Sequence, residues 1–359
     1  MSSKMGLPHF DGIYSQQLTM NKNRFKLIKE IGNGTSGKAI LARDTKGSSS
    51  NLVVLKEIPL NPEELEVKDP LFLREEVEIL SRLSHPNIIK YFGSFEESGF
   101  LYVVTEYANE GDLYQLLKKL KASRPPNDAL EEDQILRFSF QLISALAYLH
   151  DLKVLHRDIK SRNIFLSSLP DVRTKSAYPN VVLKLGDFGI SRTLTGTIEL
   201  AHTAIGTPYY LSPEICESKP YDYKSDIWSL GCVIYEMCTL RHAFDSRHIR
   251  GLILKIIKAE FLPIPKYGAT RCPNNSLLSS LISSLLQKDP NMRPSAKDLL
   301  LLSIMSKYNV PTKKVPEKPP QLTTSNLLPL KDAEINISLL TRKFKSLLEM
   351  WVRRCVIFI

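Results

Sequence analysis

The sequence predicts an α+β protein in two lobes, a β-rich part followed by a helix-rich part, with a cleft between them. Three observations predict it. Between Phe25 and Tyr107, short β-type runs are broken by Gly, Asn and Ser. From about Gly111 onward, apolar residues recur at helical period. The 359 residues are too many for one small core, and 43% hydrophobic with 24% charged residues excludes a disordered or fibrous chain.

Residues 1–23 read as a polar N-terminal extension. RFKLIKEIG, KAILARD and NLVVLKEI then read as strands. Leu73, Val77, Leu80 and Leu83, spaced by three and four, give one apolar helix face. IIKYFGSF and FLYVVTEY complete about five strands and one helix, an N-lobe over 24–107. The C-lobe, 111–305, carries helical runs at LYQLLKKLK, ILRFSFQLISALAYLH, SDIWSLGCVIYEMCT, HIRGLILKIIKA and SLLSSLISSLLQK. Two breaks interrupt it, SRPPND at 123–128 and an insertion at 167–181. A Pro/Lys-rich linker at 306–330 leads to a basic amphipathic helix at 331–359. There Ile337, Leu340, Phe344, Leu347 and Trp351 step by 3, 4, 3 and 4. Three uses of that helix stay open: packing on the core, binding a partner or a second copy, or lying on an anionic membrane.

The five cysteines, Cys216, Cys232, Cys238, Cys272 and Cys355, are odd in number and form no C-x-x-C pair. That excludes a disulfide framework or structural zinc site and favours a reducing compartment. MSSKMGLPHFDGIYSQQ has no apolar signal region, and no apolar run reaches the ~20 residues of a membrane span. Cys355 lies one residue too far from the end for a prenylation box. A soluble intracellular protein is expected. The net charge of +10 raises a nucleic-acid reading, but +6 of it falls within 305–359. No zinc pattern, RNP-like string or basic helix with interleaved aromatics accompanies it, so no specific nucleic-acid partner is expected.

Ile31-Gly32-Asn33-Gly34-Thr35-Ser36-Gly37-Lys38-Ala39 contains G-x-G-x-x-G between two strand-like runs rather than before a helix. That placement argues against a dinucleotide fingerprint. It suits a hairpin whose bare backbone N–H groups approach phosphates. Lys56 ends the apolar run Val53-Val54-Leu55. Such an ammonium needs an anion, unless it snorkels to water at a sheet edge. Glu76 borders the apolar helix face and is the expected partner, with Glu75 as the fallback. His156-Arg157-Asp158-Ile159-Lys160-Ser161-Arg162-Asn163 and Asp187-Phe188-Gly189 follow in the order and spacing that, with the loop and the lysine, exclude chance.

With these motifs, and with SPE at 212–214, SDIWSLG at 225–231 and Arg293 in DPNMRPSA, the chain resembles the eukaryotic protein kinases over about 24–305. The resemblance implies a bilobal protein-kinase fold and phosphoryl transfer from ATP with Mg²⁺, or Mn²⁺ in its place. It implies that Lys56, held by Glu76, grips the α/β-phosphates and that Asn163 and Asp187 ligate the metal. Asp158 would accept the substrate hydroxyl proton and Lys160 would steady the γ-phosphate, as in Ser/Thr kinases. Ile31, Gly32, Gly34 and Gly37 would cover the nucleotide, and Ala39, Val54 and Phe165 would sandwich the adenine. Thr105 falls at the gatekeeper position before Glu106 and Ala108, whose backbone would hold the adenine edge. Leu80, Tyr91, His156 and Phe188 match an interlobe stack anchored by Asp226.

IGNGTSGKA, HPNIIKYFGSF, SRNIFL, VVLKLGDFGISR, IGTPYYLSPEIC and CTLRHAF are most similar to the NIMA-related (Nek) kinases. The long 167–181 insertion and the small Thr105 depart from that pattern. The resemblance implies activation by phosphorylation of Thr203, read by Arg157, with Thr207 near Asp158 and Lys160. Thr193, Thr195 and Thr197 are rival sites. It also implies protein substrates, a cytoplasmic or cytoskeleton- and microtubule-associated setting with the nucleus open, and work in the cell cycle, microtubules or cilia. The rival readings are a pseudokinase scaffold or nucleotide-sensing module, and a nucleic-acid binder. The complete set Lys56, Glu76, Asp158, Asn163 and Asp187 favours the enzyme.

Overall fold

Branched and aromatic residues are frequent in five short runs between Phe25 and Glu106, and these runs form one antiparallel sheet. The computed structural model describes residues 20–34, 37–46, 51–61, 70–123, 130–168, 181–187, 208–264 and 276–308. Strands β1 (Phe25–Gly34), β2 (Gly37–Asp44), β3 (Leu52–Pro59), β4 (Tyr91–Glu97) and β5 (Phe100–Glu106) lie in the order β1-β2-β3-β5-β4. Strand alternation gives the sheet two faces. Val53, Leu55, Tyr102 and Val104 pack with Phe25, Phe95 and Met20 on one. Ile58, Leu101 and Val103 join Leu73 and Val77 of helix α1 (Pro70–Ser81) in the main core on the other. Leu83, expected as the helix's fourth apolar position, lies past its last turn but is still buried.

Two expectations about this lobe change. The apolar run from Ile88 was expected to be strand throughout, yet β4 starts at Tyr91. Ile88 instead bridges Leu185, and the Ile89 N–H donates to the Leu185 carbonyl at 2.9 Å. The run's first residues therefore dock on the second lobe. The extension at 1–23 is not wholly a lead-in either. The Lys22 backbone N–H donates to Glu97 Oε2 at 2.8 Å, its Nζ donates to the Tyr102 hydroxyl at 3.0 Å, and Met20 covers Gly93.

The second lobe is helical. It contains α2 (Leu113–Ala122), α3 (Glu132–Asp151), α4 (Pro213–Cys216), α5 (Tyr223–Thr239), α6 (Ile249–Lys258), α7 (Ser276–Leu285), α8 (Ala296–Leu300) and α9 (Ser303–Ser306). One hairpin, β6 (Ile164–Ser168) with β7 (Val181–Leu185), lies against it. Asp112 caps α2 through the Gln115 N–H, and an Asp222–Ser225 capping box starts α5. α5 is buried from Ser225 to Thr239, with Trp228 stacked on Phe244 at 5.3 Å. An all-round buried helix matches a sequence that is mostly apolar on every side, and its buried Asp226 and Glu236 are hydrogen-bonded.

Beneath α5, Arg293 and Glu214 form a buried pair, 0% and 5% exposed, with two 2.8 Å hydrogen bonds. The insertion is shorter than 167–181, because Ser167, Ser168 and Val181 pair in the hairpin. Residues 169–180 lie outside the described residues. The linker does not begin at 306: the Lys307 ammonium and the Tyr308 hydroxyl both donate to Asp133 Oδ1. The helix expected at 331–359 lies outside the described residues.

Candidate active site

The sheet register builds the upper wall of the site. Val54 and Lys56 share one face of β3, and their Cα partners are Thr105 on β5 and Ala39 on β2. The hairpin of β1 and β2 ends on the pair Gly34 and Gly37. Gly37 has φ +102, and a Cβ there would meet the Glu57 carbonyl oxygen at 2.1 Å, so only glycine fits. Ile31 and Gly32 lie exposed on β1, while Thr105 and Glu106 are half-buried and Ala108 is buried.

The β6–β7 hairpin supplies the lower wall. Phe165 is the Cα partner of Lys184, and Leu166 exchanges backbone hydrogen bonds with Glu110 and Gly111 of the connector between the lobes. Gly186 must be small, since a Cβ would lie 2.7 Å from Ile89 and 3.0 Å from the Phe165 ring. Its N–H donates to the Asn163 carbonyl at 3.0 Å, which ties the two segments carrying Asn163 and Asp187.

Between the walls, acids and bases converge. The Lys56 ammonium pairs with Asp187 Oδ1, joining groups 131 residues apart. Lys160 Nζ and Asn163 Nδ2 both donate to Asp158 Oδ2, at 2.8 and 2.9 Å. Asn163 Nδ2 also donates to the Asp158 carbonyl, so the amide nitrogen faces Asp158 and the amide oxygen is its acceptor atom. Desolvation pushes the Asp187 carboxyl up, but the Lys56 ammonium outweighs it and holds it below the usual aspartate value. Asp187 and Arg157 have positive φ, 51 and 67. Such backbones persist only where surrounding contacts enforce them.

Asp226 enforces this one. It accepts the backbone N–H groups of His156 and Arg157 at 3.1 Å each, the Tyr221 hydroxyl and His150 Nε2. His156 is buried beneath, and burial lowers its pKa despite nearby Asp226. The Arg157 Nε is buried with no partner among the described residues. Leu80 and Tyr91 pack against the same core, whereas Phe188 lies outside the described residues.

The partner expected for Lys56 is not tested: Glu76 sits on α1, but its side chain, like that of Glu75, lies outside the description. Lys56 is instead seen with Asp187. Thr203 and Thr207, and the rival Thr193, Thr195 and Thr197, also fall outside it.

Sequence reasoning missed two arrangements. Tyr210 bridges Ser161 of the catalytic segment and Glu236 of α5 at 2.9 and 2.5 Å. Lys184 grips Glu106 at 2.9 Å. Lys184 carries the signal that marked Lys56, a charge inside an apolar strand, here Val181-Val182-Leu183-Lys184-Leu185. Tyr210 gives no such signal, because its partners lie 26 and 49 residues away.

The protein kinase domain family matches residues 25–303. The serine/threonine-protein kinase Nek5 of Homo sapiens is 45% identical over 293 residues, 80% of this chain and 38% of that protein. Nek1 of Mus musculus is 44% identical over 79% of this chain and 21% of its own length. The probable serine/threonine-protein kinase nek3 of Dictyostelium discoideum is 43% identical over 80% of this chain and 24% of its own length. The chain thus spans well under half the length of these Nek relatives. A family match over most of the chain, on a two-lobed fold with acids and lysines gathered between the lobes, has one meaning: the chain belongs to the protein kinase domain family.

Proposed function

We propose that the protein is a Nek-like serine/threonine kinase that transfers the γ-phosphate of ATP to protein hydroxyls. The observation that carries this reading is the convergence of Lys56, Asp158, Lys160, Asn163 and Asp187 from three separate segments. Phosphoryl transfer asks for positioning and charge neutralisation more than covalent help. In this reading Lys56 binds the α/β-phosphates and is positioned by Glu76. Asp158, oriented by Asn163 and Lys160, accepts the proton as the substrate oxygen bonds to the γ-phosphorus. The bond from that phosphorus to the bridging oxygen breaks, and ADP leaves.

The donor set fits a hard cation. Among the described residues no group of three or more His, Cys, Asp or Glu encloses an ion. The Asp187 carboxylate and the Asn163 amide oxygen offer the few oxygen ligands that Mg²⁺ accepts alongside phosphates and water. When bound, Mg²⁺ or Mn²⁺ would neutralise phosphate charge. Ala39, Val54 and Phe165 enclose the adenine, with Ile31, Gly32, Gly34 and Gly37 above it and Thr105, Glu106 and Ala108 along its edge.

Regulation by phospho-Thr203 rests on the buried, unsatisfied Arg157 Nε, a ready cationic receiver. Thr207 beside Asp158 and Lys160 belongs to the same reading. So do protein substrates, docking or self-association through 331–359, and cytoplasmic or cytoskeleton-associated work in the cell cycle, microtubules or cilia. Among the described residues no helix is long and apolar enough to cross a membrane. The test is labelled γ-phosphate transfer to casein by the wild type and by Asp187→Ala. Transfer by the wild type alone is expected, and equal signal from both would assign it to a contaminant. Thr203→Ala is expected to block autoactivation.

A further inference from the structure

The connector between the lobes is tied to the β6–β7 hairpin at two places. At its far end the ties are two backbone bonds, Glu110 N–H to the Leu166 carbonyl at 2.9 Å and Leu166 N–H to the Gly111 carbonyl at 2.8 Å, and the Asn109 side chain, which accepts the Ser168 N–H at 3.0 Å and donates to its hydroxyl at 2.8 Å. Backbone bonds of this kind survive most substitutions. At its near end the tie is made by side chains. Lys184 Nζ reaches Glu106 Oε1 at 2.9 Å and Oε2 at 3.0 Å, and Oε2 also accepts the Lys90 N–H at 3.1 Å. The two side chains are only 15% and 23% exposed, so water screens the pair incompletely. Lys184 stands cross-strand from Phe165 and three residues before Asp187. Glu106 stands two residues before Ala108.

We infer that Lys184 is a positioning residue for nucleotide binding: by holding Glu106, it sets the gap between the Phe165 floor and the Glu106–Ala108 backbone that receives the adenine. The inference rests on the kinase reading of the adenine site. Phe165 and Glu106 belong to different lobes, and among the described residues no other side-chain ion pair joins this hairpin to the end of β5. Without it, only the ties at Asn109, Glu110 and Gly111 hold the connector to the hairpin, and the floor and the near end of the edge can shift apart while the phosphate-facing groups Lys56, Asn163 and Asp187 keep their own contacts.

The prediction is a selective loss. In the full-length protein, Lys184→Met should raise the KM for ATP and the inhibition constant of adenosine together, by about five- to tenfold, the scale of one part-buried, charge-assisted contact. Inhibition by inorganic tripolyphosphate, and kcat, should stay within about twofold, because the phosphate site is untouched. Lys184→Arg should restore both adenine-dependent constants. Should Lys184→Met fail to fold, Glu106→Gln, which keeps an acceptor for the Lys90 N–H, should weaken adenosine binding by a similar factor and tripolyphosphate binding by less than about twofold. Equal weakening of adenosine and tripolyphosphate, or unchanged adenosine binding with a lowered melting temperature, would overturn the inference. Adenosine binding by calorimetry needs no turnover. A wild type that binds adenosine but transfers no phosphate would therefore count against the kinase reading alone.

Discussion

Two cation–carboxylate pairs in this molecule, Arg293–Glu214 and Lys56–Asp187, have opposite surroundings. All five N–H donors of Arg293 are used: two on Glu214, the others on the carbonyls of Gln287, Lys288 and Lys224. Glu214 also accepts the Ser225 hydroxyl at 2.6 Å, and the guanidinium lies 4.9 Å over Trp228. Lys56–Asp187 meets through one oxygen, with the side chains 19% and 38% exposed. A pair whose every polar atom is satisfied inside the protein has nothing left to offer a ligand, and removing one partner strands a buried charge. A pair held by a single contact at an open cleft can trade that contact for phosphate or metal. Sequence motifs mark all four residues but neither pairing, and the surroundings of the two pairs set them apart.

The largest expected effect breaks function without fold. Asp158→Asn should lower phosphotransfer by about 10²–10⁴-fold, the scale of general-base loss. Its melting temperature should stay within about 2–4 °C, the equivalent of ~1 kcal/mol in a domain of this size. A large stability loss would show that the open site is structural after all. The mirror experiment is Arg293→Met, which leaves Glu214 buried and unpaired. It should cost about 3–5 kcal/mol in urea unfolding. The folded fraction at low temperature should retain its turnover.

Acid titration sharpens the same contrast. Burial raises the Glu214 carboxyl, but Arg293 and Ser225 bring it below its ordinary 4.5. Its contribution is present above the unfolded value and is lost as pH falls through the depressed native one. Burial lowers His85 from an ordinary 6.5 to about 4. The unfolded chain binds that proton first, so stability falls as pH drops across this window. Denaturation midpoints should be flat above pH 6.5 and decline below it, and His85→Gln should make the upper part of the decline shallower, with the buried His156 and His242 supplying the rest. The smallest effect tests the clasp at the start of the first lobe. Lys22→Ala should cost about 1 kcal/mol or less, since its contacts are part-exposed.

Much of the site was legible because charges in apolar strands and acids at fixed spacing are costly unless used. Lys56 is marked that way, Asp158, Asn163 and Asp187 by the motifs that carry the kinase resemblance, and Lys56 pairs with Asp187 as Asn163 does with Asp158. Lys184 sends the same signal and was passed over, since nothing in its own strand names its partner Glu106. The clasp at Met20 and Lys22 was unreadable because its partners, Gly93, Glu97 and Tyr102, lie more than seventy residues on.

The sequence by itself determined the two-lobed order, the periods of strands and helices, and the identity of the chemical groups. These follow from local rules, in which period 2 or 3.6 and a glycine or cap act on neighbours. Tertiary structure alone decided which charges meet. It placed Lys56 on Asp187, buried Arg293 with Glu214, delayed the start of β4 to Tyr91 and joined Lys184 to Glu106. Electrostatic pairing acts over a few ångströms in space and is blind to separation along the chain, so no local pattern can encode it.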